Sequence, residues 1–291
     1  MNHLGGFFLS GMLCLSGAAF SQVALSPGAD LRMMAFNIWG DYFKNPVEER
    51  DLAIADVILR YQPDVVALQE VTANWWSSRL FSALAAGYAP VSGQTDGKTN
   101  FTPLLYKKER FALVAAGWDL FHEKLDRSKG VTWAVLQDRQ QDKRFAAFST
   151  HYWWQGTPES NYIRTVNSDM LLKRLDALRS QYGCHVFGGG DFNCWVGSDP
   201  LEKLRQNGYV SAQDIADIAS PESSHHGDPR RGDDGKYHGT PKPEKNEKRY
   251  SIDHLLVAPE QVHVHRLHVV LDQDALDASD HSPIFMDISL K

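Results

Sequence analysis

Several short apolar runs in this chain stop abruptly at a residue that carries chemistry, and nothing else restricts its folding as tightly. Asp64-Val65-Val66-Ala67-Leu68 runs into Gln69-Glu70, and Cys184 to Gly190 runs into Asp191-Phe192-Asn193. Runs that are continuously apolar, not alternating, suit strands buried on both faces. Such strands need helices over their sheets, and the spacing predicts them. Asn45-Pro46 opens a helix, with Pro at the first helical position, that carries Leu52, Ala55, Val57, Ile58 and Leu59 up to Tyr61. Further helices are expected over 75–85, over 161–181 and over 200–206. Strands are expected at 31–38, 64–68, 103–106, 112–117, 132–137, 144–150, 184–190, 250–257, 263–271 and 284–288. No linker divides them, so one α/β domain is the expectation.

Charge and the N-terminal stretch bear on the surroundings in which such a chain works. Of 291 residues, 43% are hydrophobic and 23% charged, ordinary for a chain with a real core. A net charge of -6 argues against wide electrostatic capture of nucleic acid, which usually needs a basic face. From Leu4 to Phe20 the chain is apolar or small apart from Ser10 and Ser16, and Ala19-Phe20-Ser21 offers the small residues a signal peptidase requires. The run is short and glycine-rich for a membrane span, and no Lys or Arg precedes it. The expectation is a signal peptide over 1–21, a catalytic domain over 22–291, and a secreted or periplasmic protein with no membrane span. Cys184 and Cys194 would remain. The extended run between them covers roughly 20 Å at about 3.3 Å per residue, too far for a disulfide, so both are expected free.

The chemistry-bearing residues share one kind of place. Asn37 follows the first strand, Glu70 the second, His151 the strand over 144–150, and Asp191 with Asn193 the three glycines. Asp253 and the pair Asp280-His281 come later. Hard oxygen ligands and imidazoles at strand tips are the parts needed to hold a hydrated divalent cation beside an attacking water. Asp191 and Asn193 lie two apart, on one side of an extended tip, where a carboxylate takes a proton from water and an amide orients it. Gly188 to Gly190 allow close backbone approach. Asp253 is placed to orient the His281 ring, while His254 points the other way. Trp153, Trp154 and Trp195 closely follow His151 and Asn193; they either stack on a base or sugar ring or plug the core beneath the loops. Residues 220–249 lack periodicity and read as a solvated loop, its Lys242, Lys245, Lys248 and Arg249 offset by nearby Asp and Glu. His225, His226, His263, His265 and His268 read as surface or strand residues without zinc-ligand spacing. A Gly-x-Ser-x-Gly elbow, a Walker loop and a Cys-based phosphatase loop are all absent from the sequence, which leaves rival hydrolytic mechanisms without a nucleophile.

In this order, Asn37, Glu70, His151, Asp191 with Asn193, Asp253, and Asp280 with His281 resemble the endonuclease/exonuclease/phosphatase superfamily over about 31–290. The resemblance implies a four-layer α/β sandwich, two packed mixed β-sheets flanked by helices. It implies a magnesium ion, with manganese as a possible substitute, on Glu70 with Asn37 and Asp280 close by. Asp191 would orient or deprotonate water, Asn193 hold the nucleophile, His151 and His281 contact phosphoryl oxygens, and Asp253 brace His281. Tyr106 matches a residue often near the phosphate, and Tyr237-His238-Gly239 looks like a segment of the secreted and deadenylase-like branch whose His lies near the site. Trp153 and Trp195 would shape the pocket. The Pro-x-Trp-x-Asp-Arg pattern of inositol polyphosphate 5-phosphatases is missing, and Arg164-x-x-Asn167 departs from Arg-x-x-Gln. The implied activity is an exported, monomeric hydrolase of a small sugar, lipid head-group or nucleotide phosphoester. A secreted nuclease and a catalytically silent binding protein are the alternatives.

Overall fold

A computed structural model describes residues 22–91, 98–241, 247 and 250–291. The expected signal peptide, and the basic positions 242, 245, 248 and 249, lie outside the described residues. In chain order the elements are β1 (Leu31–Asn37), α1 (Asp51–Tyr61), β2 (Val65–Gln69), α2 (Ala73–Trp76), α3 (Arg79–Leu84), β3 (Tyr88–Val91), β4 (Leu104–Lys107), β5 (Phe111–His122), β6 (Asp126–Asp138) and β7 (Arg144–His151). There follow α4 (Pro158–Tyr182), β8 (His185–Asp191), α5 (Asp199–Gln206), β9 (Val210–Ser211), α6 (Ala212–Ile215), β10 (Ile218–Ala219), β11 (Arg230–Arg231) and β12 (Tyr237–His238). The chain ends with β13 (Asp253–Val257), β14 (Val262–Val269), α7 (Gln273–Ala278) and β15 (Ile284–Leu290).

Two mixed sheets pack face to face. One has seven strands in the order β10-β14-β15-β1-β2-β4-β3, the other six in the order β5-β6-β7-β8-β13-β9. Side chains alternate between the faces of a strand, and three apolar clusters follow from that alternation. Leu31, Met33 and Ala35 of β1 meet Phe145 and Ala147 of β7, Phe187 of β8 and Leu255 of β13 between the sheets. Met34 and Phe36 face outward to Ile54, Val57 and Ile58 of α1 and to Ala275 of α7. On the other outer side Ala146, Phe148 and Val186 pack under Leu171, Leu175 and Leu178 of α4 and Leu204 of α5. The result is the four-layer sandwich. Among the described residues no helix is long and apolar enough to cross a membrane.

Local chemistry moves several boundaries. The helix expected from Asn45 begins instead as a 3-10 turn, Val47–Glu49, and α1 starts only after Arg50. Arg50 is buried and donates to the carbonyls of Ile38, Trp39, Asn45 and Ala278, which fixes the break at that point. The helix expected over 75–85 is two pieces, because the Ser78 hydroxyl caps α3 by accepting from the Leu80 N–H. The aperiodic segment after residue 220 contains the hairpin of β11 and β12.

Candidate active site

The alternation that fills the space between the sheets also builds the site. In β1 the inward set Leu31, Met33, Ala35 continues to Asn37; in β2 Val65 and Ala67 continue to Gln69. In β7 and β8 the same parity ends at His151 and Asp191, and in β13 it begins at Asp253. Register then sets them side by side: Asn37 opposite Gln69, and Asp191 flanked by His151 and Asp253. All of them end at one edge of the core, where the apolar filling stops. Beneath them Gln69 Nε2 donates to Ser149 Oγ at 3.0 Å, and that hydroxyl donates to the Leu68 carbonyl, so the two sheets are tied at this level.

Asp191 is the hub. Its Oδ2 accepts from Asn37 Nδ2 at 3.1 Å and lies 3.2 Å from His151 Nε2 and 3.8 Å from His281 Nε2. Its Oδ1 accepts the Asn193 backbone N–H at 2.8 Å. Burial alone would raise this carboxyl, but the two imidazoles and the Asn193 N–H outweigh it and hold it far below the ordinary carboxylate range. His281 Nδ1 pairs with Asp253 Oδ2 at 2.7 Å, and Asp253 in turn accepts from Ser224 Oγ at 2.7 Å. Burial works against the charged imidazole, yet Asp253, Asp280 and Asp191 keep His281 protonated well above its usual range. Its Nε2–H is therefore the nitrogen aimed toward Asp191.

Glu70 stands one residue past β2 with φ 63, a left-handed backbone that turns its carboxylate out of the strand. Gly40 N–H donates to Oε2 at 2.6 Å and Asn37 Nδ2 to Oε1 at 3.2 Å. A cleft of about 470 Å³ opens here, lined by Glu70, Asp126, Asp228, Asp280 and Lys129 together with Trp39, Tyr42, Phe43, Phe101 and Trp154. Burial pushes the Asp280 carboxyl up to about 7; His281 opposes this, while Glu70, Asp228 and Asp191 reinforce it. Four carboxylates line this one cleft, and His225, Asp280 and His281 bring ligand atoms within 4.8 Å of one another, a donor set that fits a divalent cation. Asn37 lies directly against Glu70: its nitrogen faces Glu70 and Asp191, and its Oδ1 accepts the Trp39 N–H.

Asn193 lies beside the hub with φ 50, its Nδ2 donating to the Tyr152 carbonyl. Four sequence expectations are not brought to this place. Tyr106 pairs with Val65 at the far end of β2 from Glu70, because β4 runs antiparallel to β2; Phe101, in the segment before β4, lines the cleft instead. His238 is exposed and pairs with Asp234 on its own hairpin. Trp153 is buried beside His122, and its neighbour Trp154, 58% exposed, lines the cleft. Trp195 is exposed but outside the cleft lining. Lys129 was missed by sequence reasoning: its Nζ lies 3.1 Å from His151 Nε2, buried, facing Glu70, Asp126 and Asp191. Burial lowers its pKa against the pull of those three carboxylates. The pairing of Gly130 with His151 is what sets Lys129 beside that imidazole.

A family model described as the endonuclease/exonuclease/phosphatase family matches residues 34–281. A comparison with curated proteins returns no match. Among solved structures, an endonuclease/exonuclease/phosphatase from Bacteroides vulgatus is similar over 90% of this chain and 99% of its own, with 23% identity and a TM-score of 0.72. A Bacteroides thetaiotaomicron mannosyl-6-phosphatase is similar over 89% of this chain and 99% of its own, with 17% identity and a TM-score of 0.69. The human Nocturnin catalytic domain with bound sulfate follows the same fold over 90% of this chain and 94% of its own, with 19% identity and a TM-score of 0.68.

Proposed function

The chain belongs to the endonuclease/exonuclease/phosphatase family, whose members hydrolyse phosphoesters, and from that premise we propose that it is a magnesium-dependent hydrolase of a small sugar phosphoester. The observation that carries this reading is the Asp191 hub: one ionised carboxylate between two imidazole Nε2 atoms, joined through Asn37 to Glu70 on the wall of a cleft rich in oxygen donors. Held so far below the usual range, Asp191 is a weak proton acceptor and is better suited to orient the attacking water than to keep its proton. His151 and His281 donate toward the phosphoryl oxygens as their charge grows, Asp253 fixes the His281 ring, and Lys129 adds a buried positive charge behind His151. Asn37 bridges Glu70 and Asp191, and Asn193, held through its N–H on Asp191 and its Nδ2 on the Tyr152 carbonyl, would help hold the attacking water. Magnesium, or manganese in its place, would be held by Glu70 and Asp280 with Asp228 nearby, and would supply Lewis acidity toward the phosphoryl group and a more acidic water.

The sugar assignment rests on the rest of the cleft. Tyr42, Phe43 and Trp154 present aromatic faces for ring C–H groups, and Asp126 and Asp228 present acceptors for hydroxyls. With four carboxyl groups against Arg127 and Lys129 the lining is no basic track for a polynucleotide backbone. The mannosyl-6-phosphatase among the structural neighbours adds support. Purified protein assayed with magnesium, manganese or calcium against hexose phosphates, phosphocholine, nucleotides, p-nitrophenyl esters, plasmid DNA and RNA tests the reading. Hexose phosphates should be turned over best, EDTA should abolish turnover, and Asp191→Asn should lower kcat by about 10²–10⁴-fold. Cleavage confined to DNA or RNA would overturn the substrate assignment, and silence on every ester would overturn the enzyme.

A further inference from the structure

His263 and His265, surface or strand residues by sequence, converge with Asp217 at the edge of the seven-stranded sheet. Both histidines lie on β14, on its outward face, since Val262, Val264, Leu267 and Val269 take the inward positions. A bulge between Val264 and Arg266 breaks the pairing with β15 at His265, and a bulge re-aims the side chain it carries. Asp217 is brought alongside by its own N–H, which donates to the Val264 carbonyl at 3.0 Å. His263 Nε2 then lies 2.8 Å from Asp217 Oδ2, and His265 Nδ1 lies 4.0 Å from the same oxygen.

We propose that His263 Nε2, His265 Nδ1 and Asp217 form a second cation site, for a borderline transition ion such as Zn²⁺. The hydrogen bond from His265 to Ser289 is the observation that separates this from a surface ion pair. Ser289 Oγ lies 3.0 Å from His265 Nε2, placed to accept its proton when Nδ1 takes an ion beside Asp217. A ligating histidine characteristically donates its other ring N–H in this way. Zinc bonds of about 2.0–2.2 Å at tetrahedral angles place ligand atoms roughly 3.3 Å apart, between the two separations to Asp217, so small rotamer adjustments close the site. Two nitrogens and one carboxylate select zinc over magnesium. With Asp217 just before β10, the ion would clip that short edge strand to β14. His263 is six residues back along β14 from Val269, roughly 20 Å at about 3.3 Å per residue. Val269 is level through β15 with Ala35, near the hydrolytic centre. The two sites are separate.

The test is a Zn²⁺ titration of the whole protein against a chromophoric chelator, in millimolar magnesium, with thermal melts of each variant with and without zinc. Wild type should bind an equivalent of zinc that His263→Ala and Asp217→Ala each weaken about tenfold or more, and Ser289→Ala should weaken it by about tenfold. Zinc should raise the Tm of wild type and not of His263→Ala, while magnesium-dependent turnover stays the same in both. Zinc taken by the hydrolytic centre is counted apart, through Glu70→Gln. Equal zinc affinity in wild type and His263→Ala would reduce the trio to an ion pair and end the proposal.

Discussion

Asp280 couples the candidate site to pH more directly than any of its neighbours. Burial raises its pKa to about 7, helped by Glu70, Asp228 and Asp191 and opposed by His281. An unfolded Asp titrates near about 3.9. Between those values the folded chain keeps a proton that the unfolded chain has lost, so this group makes cation-free stability fall as pH rises from about 4 to about 7, and no further above that. A divalent cation binds only the ionised form and reverses the loss. Thermal melts in EDTA from pH 5 to pH 8 should therefore show a declining Tm that Asp280→Asn flattens and magnesium restores; identical profiles for wild type and variant would contradict the assignment. Lys129 makes the second residue-scale prediction. It is the buried cation nearest His151, so Lys129→Met should lower kcat/KM on the best ester by about 100-fold. A variant with undiminished turnover would confine Lys129 to a structural part.

At the scale of elements, the three glycines of β8 decide how closely its neighbours approach. A Cβ on Gly189 would stand 1.8 Å from the His254 carbonyl of β13, and one on Gly190, at φ 150, would stand 2.1 Å from the Thr150 carbonyl of β7. Gly189→Ala must push β13 from β8, and with it Asp253 from Asp191, so it should cost about 3 kcal/mol in denaturant unfolding and lower activity as well. Full stability in that variant would mean that the strands separate freely. The triple glycine was legible because it interrupts an apolar run just before a carboxylate. The same held for Asn37, His151 and Asp253, each carried inward by a strand whose apolar parity is readable, whereas Glu70 and His281 lie just outside β2 and β15 and were legible from their neighbours Gln69 and Asp280. Lys129 escaped because the first part of β6, Asp126 to Gly130, is polar where it rims the cleft, and hydrophobic alternation begins only at Val131. Trp153 and Trp154 both follow His151, and which of them lines the cleft is a tertiary fact: only packing beside His122 decides that Trp153 turns inward. The short elements β3, β9, β10, α6 and α7 carry too few residues for a period to show. The bulge that turns His265 toward Asp217 has no mark in the sequence at all.

The whole molecule poses a question of compartment, because a chain exported into an oxidising space with two cysteines must either pair them or protect them. Both thiols are free among the described residues. β8 runs extended through the seven residues from His185 to Asp191 between them, roughly 20 Å at about 3.3 Å per residue, beyond the reach of a disulfide. Burial also pushes the Cys194 thiol up to about 12 and raises that of Cys184, and the thiolate is the form that oxidises or exchanges. The fold is thus compatible with export without needing an oxidised pair. Expression of the full chain in a bacterium with a periplasm should give a fractionated product whose N-terminal sequencing begins near Gln22. It should show two thiols titrating after denaturation, and the same Tm with and without reductant. A product that keeps residues 1–21 and stays in the cytoplasm would refute export. A Tm that drops on reduction would show that the chain folds back after Cys184 in a way β8 does not permit.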